Sequence, residues 1–262
     1  MRNRVLCVVS AVFVFWVFAA PVHAQVLPAE DHVVELGVMF WTPSPELTLS
    51  TDALSGSSIS EVDFVEEFGI EDKMFPEFRA VLGRNHKFRL SYVKFEYAED
   101  TTIERTFTFR GRTFSVGAPA TTDIKWDLWK FGYEWDFISR ERGFLGVVVD
   151  LKYNKIDALV DSPVLRSSAT TEVTAPVPTI GVIGRGYLLP MLAITGEFSG
   201  LSISRDDFEA KFFDFDISGT VSLGRHVGAQ AGYRSVVVDY LTDEDSGDLK
   251  MKGPYFGGVV RF

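Results

Sequence analysis

The sequence predicts an all-β fold, a closed antiparallel transmembrane β-barrel. Three observations carry this: a leader of the export type, recurring segments whose polarity alternates from residue to residue, and a last segment that also alternates and ends on an aromatic residue. In that last segment Phe256, Val260 and Phe262 fall on one side and Arg261 on the other. Phe256, Val260 and Phe262 are the expected insertion signal, to be read by the barrel-assembly machinery.

Met1, Arg2, Asn3 and Arg4 give a basic start, Val5 to Ala20 an apolar stretch, and Val22-His23-Ala24 a small-residue cleavage site. Two regions are therefore expected, a signal peptide over residues 1–24 and one barrel domain over residues 25–262. The single cysteine, Cys7, lies inside the leader, so the barrel domain has no disulfide, thiol nucleophile or cysteine-based metal site. Without Arg2 and Arg4 the chain carries 24 basic and 36 acidic residues, a balance of about −12. That argues against nucleic acid as a partner, since phosphates call for basic surface. No apolar run after the leader has the length of a spanning helix, so the domain would cross a membrane as strands.

Ten strands are expected, each bounded by turn residues. Val33 to Trp41 comes first, with Glu35 facing inward. Phe75 to Gly83 and Lys87 to Tyr97 form a hairpin around Arg84-Asn85-His86. Asp123 to Phe137 and Gly143 to Asp157 form a second around Ser139 to Arg142, and in the latter Val147, Val149, Leu151 and Tyr153 oppose Asp150, Lys152 and Asn154. Thr171 to Tyr187 turns through Leu188 to Pro190 into Met191 to Ser204. Phe208 to Leu223 has Phe213, Phe215, Ile217, Val221 and Leu223 on one side and Asp214, Asp216, Ser218, Thr220 and Ser222 on the other. Gly224 to His226 leads from it into Val227 to Tyr240, and Leu249 to Phe262 closes the set.

Longer connections, at 42–74, 98–122, 158–170, 205–207 and 241–248, alternate with the short turns, as brief periplasmic turns alternate with longer extracellular loops in barrels of the outer membrane. Backbone polar groups in lipid need internal partners, so the sheet must close. A hairpin within Thr101 to Val116 would extend the wall to 12 strands, and loss of weak early strands would leave 8. Ser60 and Asp63, followed by Val62, Val65 and Phe68 at helical spacing, predict a short helix ending at Gly69.

Two strands change phase midway. A lumen-facing polar set of Asp123, Lys125 and Asp127 followed by Lys130, Glu134 and Asp136 requires a bulge near Leu128 and Trp129, and Lys87 to Tyr97 requires one near Tyr92 and Val93. With those bulges Phe88/Tyr97 and Trp126/Trp135 become pairs of interface aromatics. The inward acids are then Glu35, Glu77, Glu96, Asp127, Glu134, Asp136, Asp150, Glu197, Asp214 and Asp216. The inward bases are Arg79, Arg89, Lys94, Lys125, Lys130, Lys152, Arg185, Arg234 and Arg261. This near-balanced lumen charge network would fill a small barrel rather than leave a pore.

No catalytic, cofactor-binding or metal-binding residues stand out. Enzymes of this membrane, such as its phospholipase, lipid A deacylase and omptin proteases, use a histidine, and after the leader only His32, His86 and His226 remain, all on the periplasmic side. Asp243, Glu244, Asp245 and Asp248 lack the spacing of a calcium loop, leaving only diffuse attraction for divalent cations at acidic loops. No cofactor is expected.

In its leader, alternating strands and terminal Phe262, the chain resembles the small outer-membrane barrels grouped around OmpA, OmpX and OmpW. Val62-Asp63-Phe64 and Glu67-Phe68-Gly69 are similar to a motif after the first strand of uncharacterised proteobacterial barrels. The resemblance implies a Gram-negative outer membrane and, as partners, its lipid and lipopolysaccharide. The sequence thus points to a monomeric, non-enzymatic barrel with a structural or surface-interaction role through acidic extracellular loops. A narrow passive channel for small solutes and a lipid-modifying enzyme are the alternatives, and a soluble lipocalin-like barrel is the competing architecture.

Overall fold

A computed structural model describes residues 32–51, 61–63, 65, 68–104, 106–109, 112–205, 208–242 and 245–262. The leader, the tip Arg110-Gly111 and Asp243-Glu244 lie outside the described residues.

Ten strands close into an antiparallel barrel: β1 (Val34–Trp41), β4 (Phe75–Gly83), β5 (His86–Thr102), β8 (Pro119–Arg140), β9 (Gly143–Ser162), β10 (Ser167–Leu189), β11 (Leu192–Arg205), β12 (Phe208–Ser222), β13 (Val227–Thr242) and β14 (Asp245–Arg261). Each matches one expected strand, and β1 pairs with both β4 and β14 to complete the ring. Two strands lie outside the ring: β2 (Ser44–Thr51) continues from β1 along β14, and β3 (Glu61–Asp63) pairs with β2. β6 (Phe107–Phe109) and β7 (Arg112–Phe114) form the hairpin expected within 101–116, but as a separate two-stranded sheet rather than part of the wall. Val62 is in β3, whereas Val65 and Phe68 are helical as expected and Gly69, with a positive φ of 62°, follows as a turn; Ser60 lies outside the described residues.

The expected bulges at Leu128–Trp129 and Tyr92–Val93 do not form. β5 and β8 pair without a break from His86↔Trp135 to Thr102↔Pro119. With strict alternation, Lys94, Glu96, Lys125 and Asp127 face outward, and Val93, Phe95, Tyr97, Trp126 and Leu128 face inward and are buried. Those four charges are therefore not part of the lumen network, and Tyr97 and Trp126 are not interface aromatics. The physical reason is a change of medium along the strand. Strands of 17 to 23 residues in β5, β8, β9 and β10 outrun the roughly 9 to 11 residues needed to cross hydrocarbon. Where the wall stands in water the outside carries the charge and the inside the apolar residues. The register slips elsewhere, at Phe137 between Asp136 and Ile138.

The membrane belt is clear on the outer surface. On β8 it runs through Trp129, Phe131, Tyr133, Trp135 and Phe137, and on β9 through Leu145, Val147, Val149, Leu151 and Tyr153, nine residues in each case. Its upper edge is marked by Tyr92 stacked on Trp129 with ring centroids 4.2 Å apart, and its lower edge by Phe88, Trp135, Phe137 and Phe262.

The ring has one local break. Pairing of β4 with β5 stops at Glu77↔Val93, and the next β4 residue, Pro76, has no N–H to extend the ladder. Pro43 and Pro45 edge the opposite side, where β2 stays with β14. The segment from Phe68 to Met74 spans this opening: Ser44 donates to Asp72 at 2.8 Å, Lys73 pairs with Glu99 at 2.6 Å, and Phe68 and Ile70 are buried in the interior.

Candidate functional site

The only large internal feature among the described residues is the lumen, and it has two layers. The periplasmic layer is ionic. Eight acids (Glu35, Glu77, Glu134, Asp136, Asp150, Glu197, Asp214 and Asp216) face eight bases (Arg79, Lys87, Arg89, Lys130, Lys152, Arg185, Arg234 and Arg261). Lys87 was not recognised in the sequence. It begins β5 beside a turn, and only the unbroken alternation with Arg89 reveals its direction.

The charges form linked groups. Arg234 holds Asp214 at 2.9 and 3.0 Å and reaches Glu77 at 3.0 Å, Arg79 bridges Glu77 at 2.8 Å and Asp216 at 3.2 Å, and Lys152 lies 3.0 Å from Asp214. The Tyr255 hydroxyl donates to Asp216 at 2.6 Å. A second group runs from Asp136 and Glu134 through Lys87, at 2.7 and 2.8 Å, to Arg89, Glu197 and Lys130. In the third, Glu35 bonds Arg261 at 2.6 Å and Arg185 at 3.4 Å, beside His32. Such pairing makes buried charge tolerable, because each desolvated ion regains its interaction from a fixed partner. Small wall residues make room: a Cβ on Gly132 would stand 2.1 Å from the Asp150 carboxylate, and one on Gly232 would stand 2.6 Å from the Tyr255 ring.

The outer layer is apolar. Met39, Trp41, Phe75, Phe95, Tyr97, Trp126, Leu128, Phe212 and Met251 fill the cross-section, and Phe68, Ile70, Ile103 and Phe114 from the connections join the same cluster. Phe95 packs on Trp41, Phe75 and Trp126 with ring centroids 4.9 to 5.4 Å apart. Arg234 lies 5.1 Å from the Trp41 ring, so cation–π contact ties the two layers together. A cavity of about 80 Å³ lies in the ionic layer, lined by Glu35, Arg79, Lys87, Arg89, Arg185 and Glu197 among others.

The histidines stand at the periplasmic end. His86, within 2.5 Å of the Tyr133 hydroxyl, stacks on Trp135, and His226 accompanies Phe262. Neither reaches an outer face where a surface substrate would arrive. Among the described residues no group of His, Cys, Asp and Glu is arranged to hold a metal ion.

A closed sheet with a nine-residue apolar belt on its outside, around a lumen layer of paired charges, is built for a bilayer. This is an outer-membrane β-barrel. Its fold is shared with the outer membrane protease OmpT from Escherichia coli, with a TM-score of 0.58 and 8% identity over 89% of this chain and 97% of that one. Neisserial surface protein A (13% identity, TM-score 0.35, covering 87% and 97%) and Ail of Yersinia pestis (10% identity, TM-score 0.35, covering 88% and 99%) also match. No protein-family model and no curated protein matches the sequence. The barrel belongs in the outer membrane of a Gram-negative bacterium. At 8% identity the likeness to a protease shows the fold alone and assigns no activity.

Proposed function

We propose that this barrel is a non-enzymatic, non-conducting monomer of the cell envelope that acts through its outer face. The observation that carries this reading is the two-layer lumen. Paired charges occupy the periplasmic half and packed aromatic residues the outer half, so neither solute passage nor an open catalytic cleft is provided for.

What remains for function is the protruding wall. β5, β8, β9 and β10 carry Glu96, Asp100, Asp123, Asp157 and Glu172 outward above the belt. The lumen is neutral, so the net negative charge of the chain collects mainly at this end. An acidic, strand-built outer face suits contact with cationic surface partners, and with lipopolysaccharide through bridging divalent cations.

Planar-bilayer recording tests the reading against the passive channel. The purified barrel should give no unitary currents, whereas stable, reproducible openings would establish conduction. Lipid A spectra from a deletion strain should match the parent, and a lost or shifted lipid A species would identify an enzyme instead.

A further inference from the structure

The turns at the periplasmic end have the opposite charge to the outer end. They carry Arg84 between β4 and β5, Arg140 at the end of β8 and Arg142 just after it, and Arg225 between β12 and β13, with Glu141 as the one acid among them. All four arginines are exposed, and Arg140, Arg142 and Arg225 have no ion-pair partner among the described residues. The outward lysines above the belt differ. Lys94, Lys125, Lys155, Lys211, Lys250 and Lys252 each lie against a carboxylate: Glu96, Asp123, Glu172, Glu209, Asp248 and Glu46 respectively.

The arginines are also placed at a definite depth. Leu82, Ile138 and Leu223 are exposed apolar residues at the lower edge of the belt, and Arg84, Arg140 and Arg225 each follow two residues later. The bulge at Phe137 sets this for β8, turning both Phe137 and Ile138 outward. At about 3.3 Å per residue along strands tilted by roughly 40°, two residues carry the chain at most about 5 Å beyond the hydrocarbon, into the headgroup layer, and a long stem lets the guanidinium swing toward phosphate. A planar guanidinium matches phosphate oxygens in a two-point bond, which an ammonium does not.

We propose that Arg84, Arg140, Arg142 and Arg225 form a cationic collar that binds anionic phospholipid headgroups of the periplasmic leaflet. Continuity with the apolar belt favours lipid over the cell-wall polymer, because acyl chains and headgroup of one molecule meet both surfaces together.

Native mass spectrometry of the full barrel, offered equal amounts of phosphatidylglycerol and phosphatidylcholine with the same acyl chains, tests this. The wild-type protein should retain phosphatidylglycerol in excess, with the excess shrinking as salt rises. R140Q/R142Q/R225Q should lower that excess roughly fivefold, and K211Q/K250Q on the outer face should leave it unchanged. Equal retention of the two lipids by the wild type, or a triple variant indistinguishable from it, would overturn the proposal. So would loss of co-sedimentation with purified cell-wall sacculi in the triple variant while lipid preference stays intact. If the triple variant does not fold, shown by a gel band that no longer shifts on heating, the wild-type lipid ratio and its salt dependence decide.

Discussion

Arg234 shows how a single residue serves the barrel. Its guanidinium is buried, divides its hydrogen bonds between Asp214 and Glu77, and faces Trp41 at the boundary of the two lumen layers. Arg234→Ala would leave Asp214 and Glu77 short of a counter-charge and open space beside Trp41. A loss of about 3 to 5 kcal/mol is expected, seen as a lower temperature for conversion of the compact gel form to the unfolded one. Gly132 offers a second test, since its lack of a side chain lets Asp150 lie across the strand. Gly132→Ala should cost about 1 to 3 kcal/mol by displacing that carboxylate. Much of this network was legible in the sequence, because charges recurring at every second position of apolar strands have nowhere to go but the lumen. Lys87 was missed since a lysine beside a turn looks like an ordinary exposed residue.

At the scale of the strand, alternation proved more reliable than polarity. β9, β12 and β14 could be oriented from the sequence because each belt face is continuously apolar. The upper halves of β5 and β8 depart from expectation: Lys94, Glu96, Lys125 and Asp127 face outward, and no bulge forms to bring them into the lumen. The rule that polar residues face inward holds only as high as the hydrocarbon. Above Tyr92 and Trp129 the surrounding medium is water, and the ordinary preference for an apolar inside returns. Two substitutions on β9 separate these regimes. Val149→Lys, in the middle of the belt, should cost about 2 to 4 kcal/mol, whereas Lys155→Leu, three turns of the pleat higher, should change stability by less than about 0.5 kcal/mol. Urea titration of the barrel folded into vesicles measures both. The segment from Phe68 to Met74 belongs to the same scale. The proline-edged break it spans was invisible in the sequence, because a missing ladder partner depends on pairing between strands far apart in the chain. Phe68→Asp with Ile70→Asp should loosen this closure and admit current steps in a planar bilayer where the wild type gives none.

For the molecule as a whole, the strand number, ring order and placement of both ends follow from alternation and from the regular exchange of short and long connections. The division of the lumen into two layers does not, because it depends on how far each strand rises above the lipid. That division gives the barrel three stacked zones of charge: a basic periplasmic rim, a neutral ionic interior and an acidic outer end. On the proposed function, the interior communicates with one side only. Residues 25–262 contain no cysteine, so a single one can be placed at Val81, which lines the cavity of the ionic layer. Intact cells carrying Val81→Cys, treated with a membrane-impermeant maleimide, should remain unlabelled, and the same cells should label once the periplasm is opened. Labelling of Val81→Cys from outside intact cells would contradict the sealed outer layer, and with it the account of this barrel as a closed, surface-acting protein.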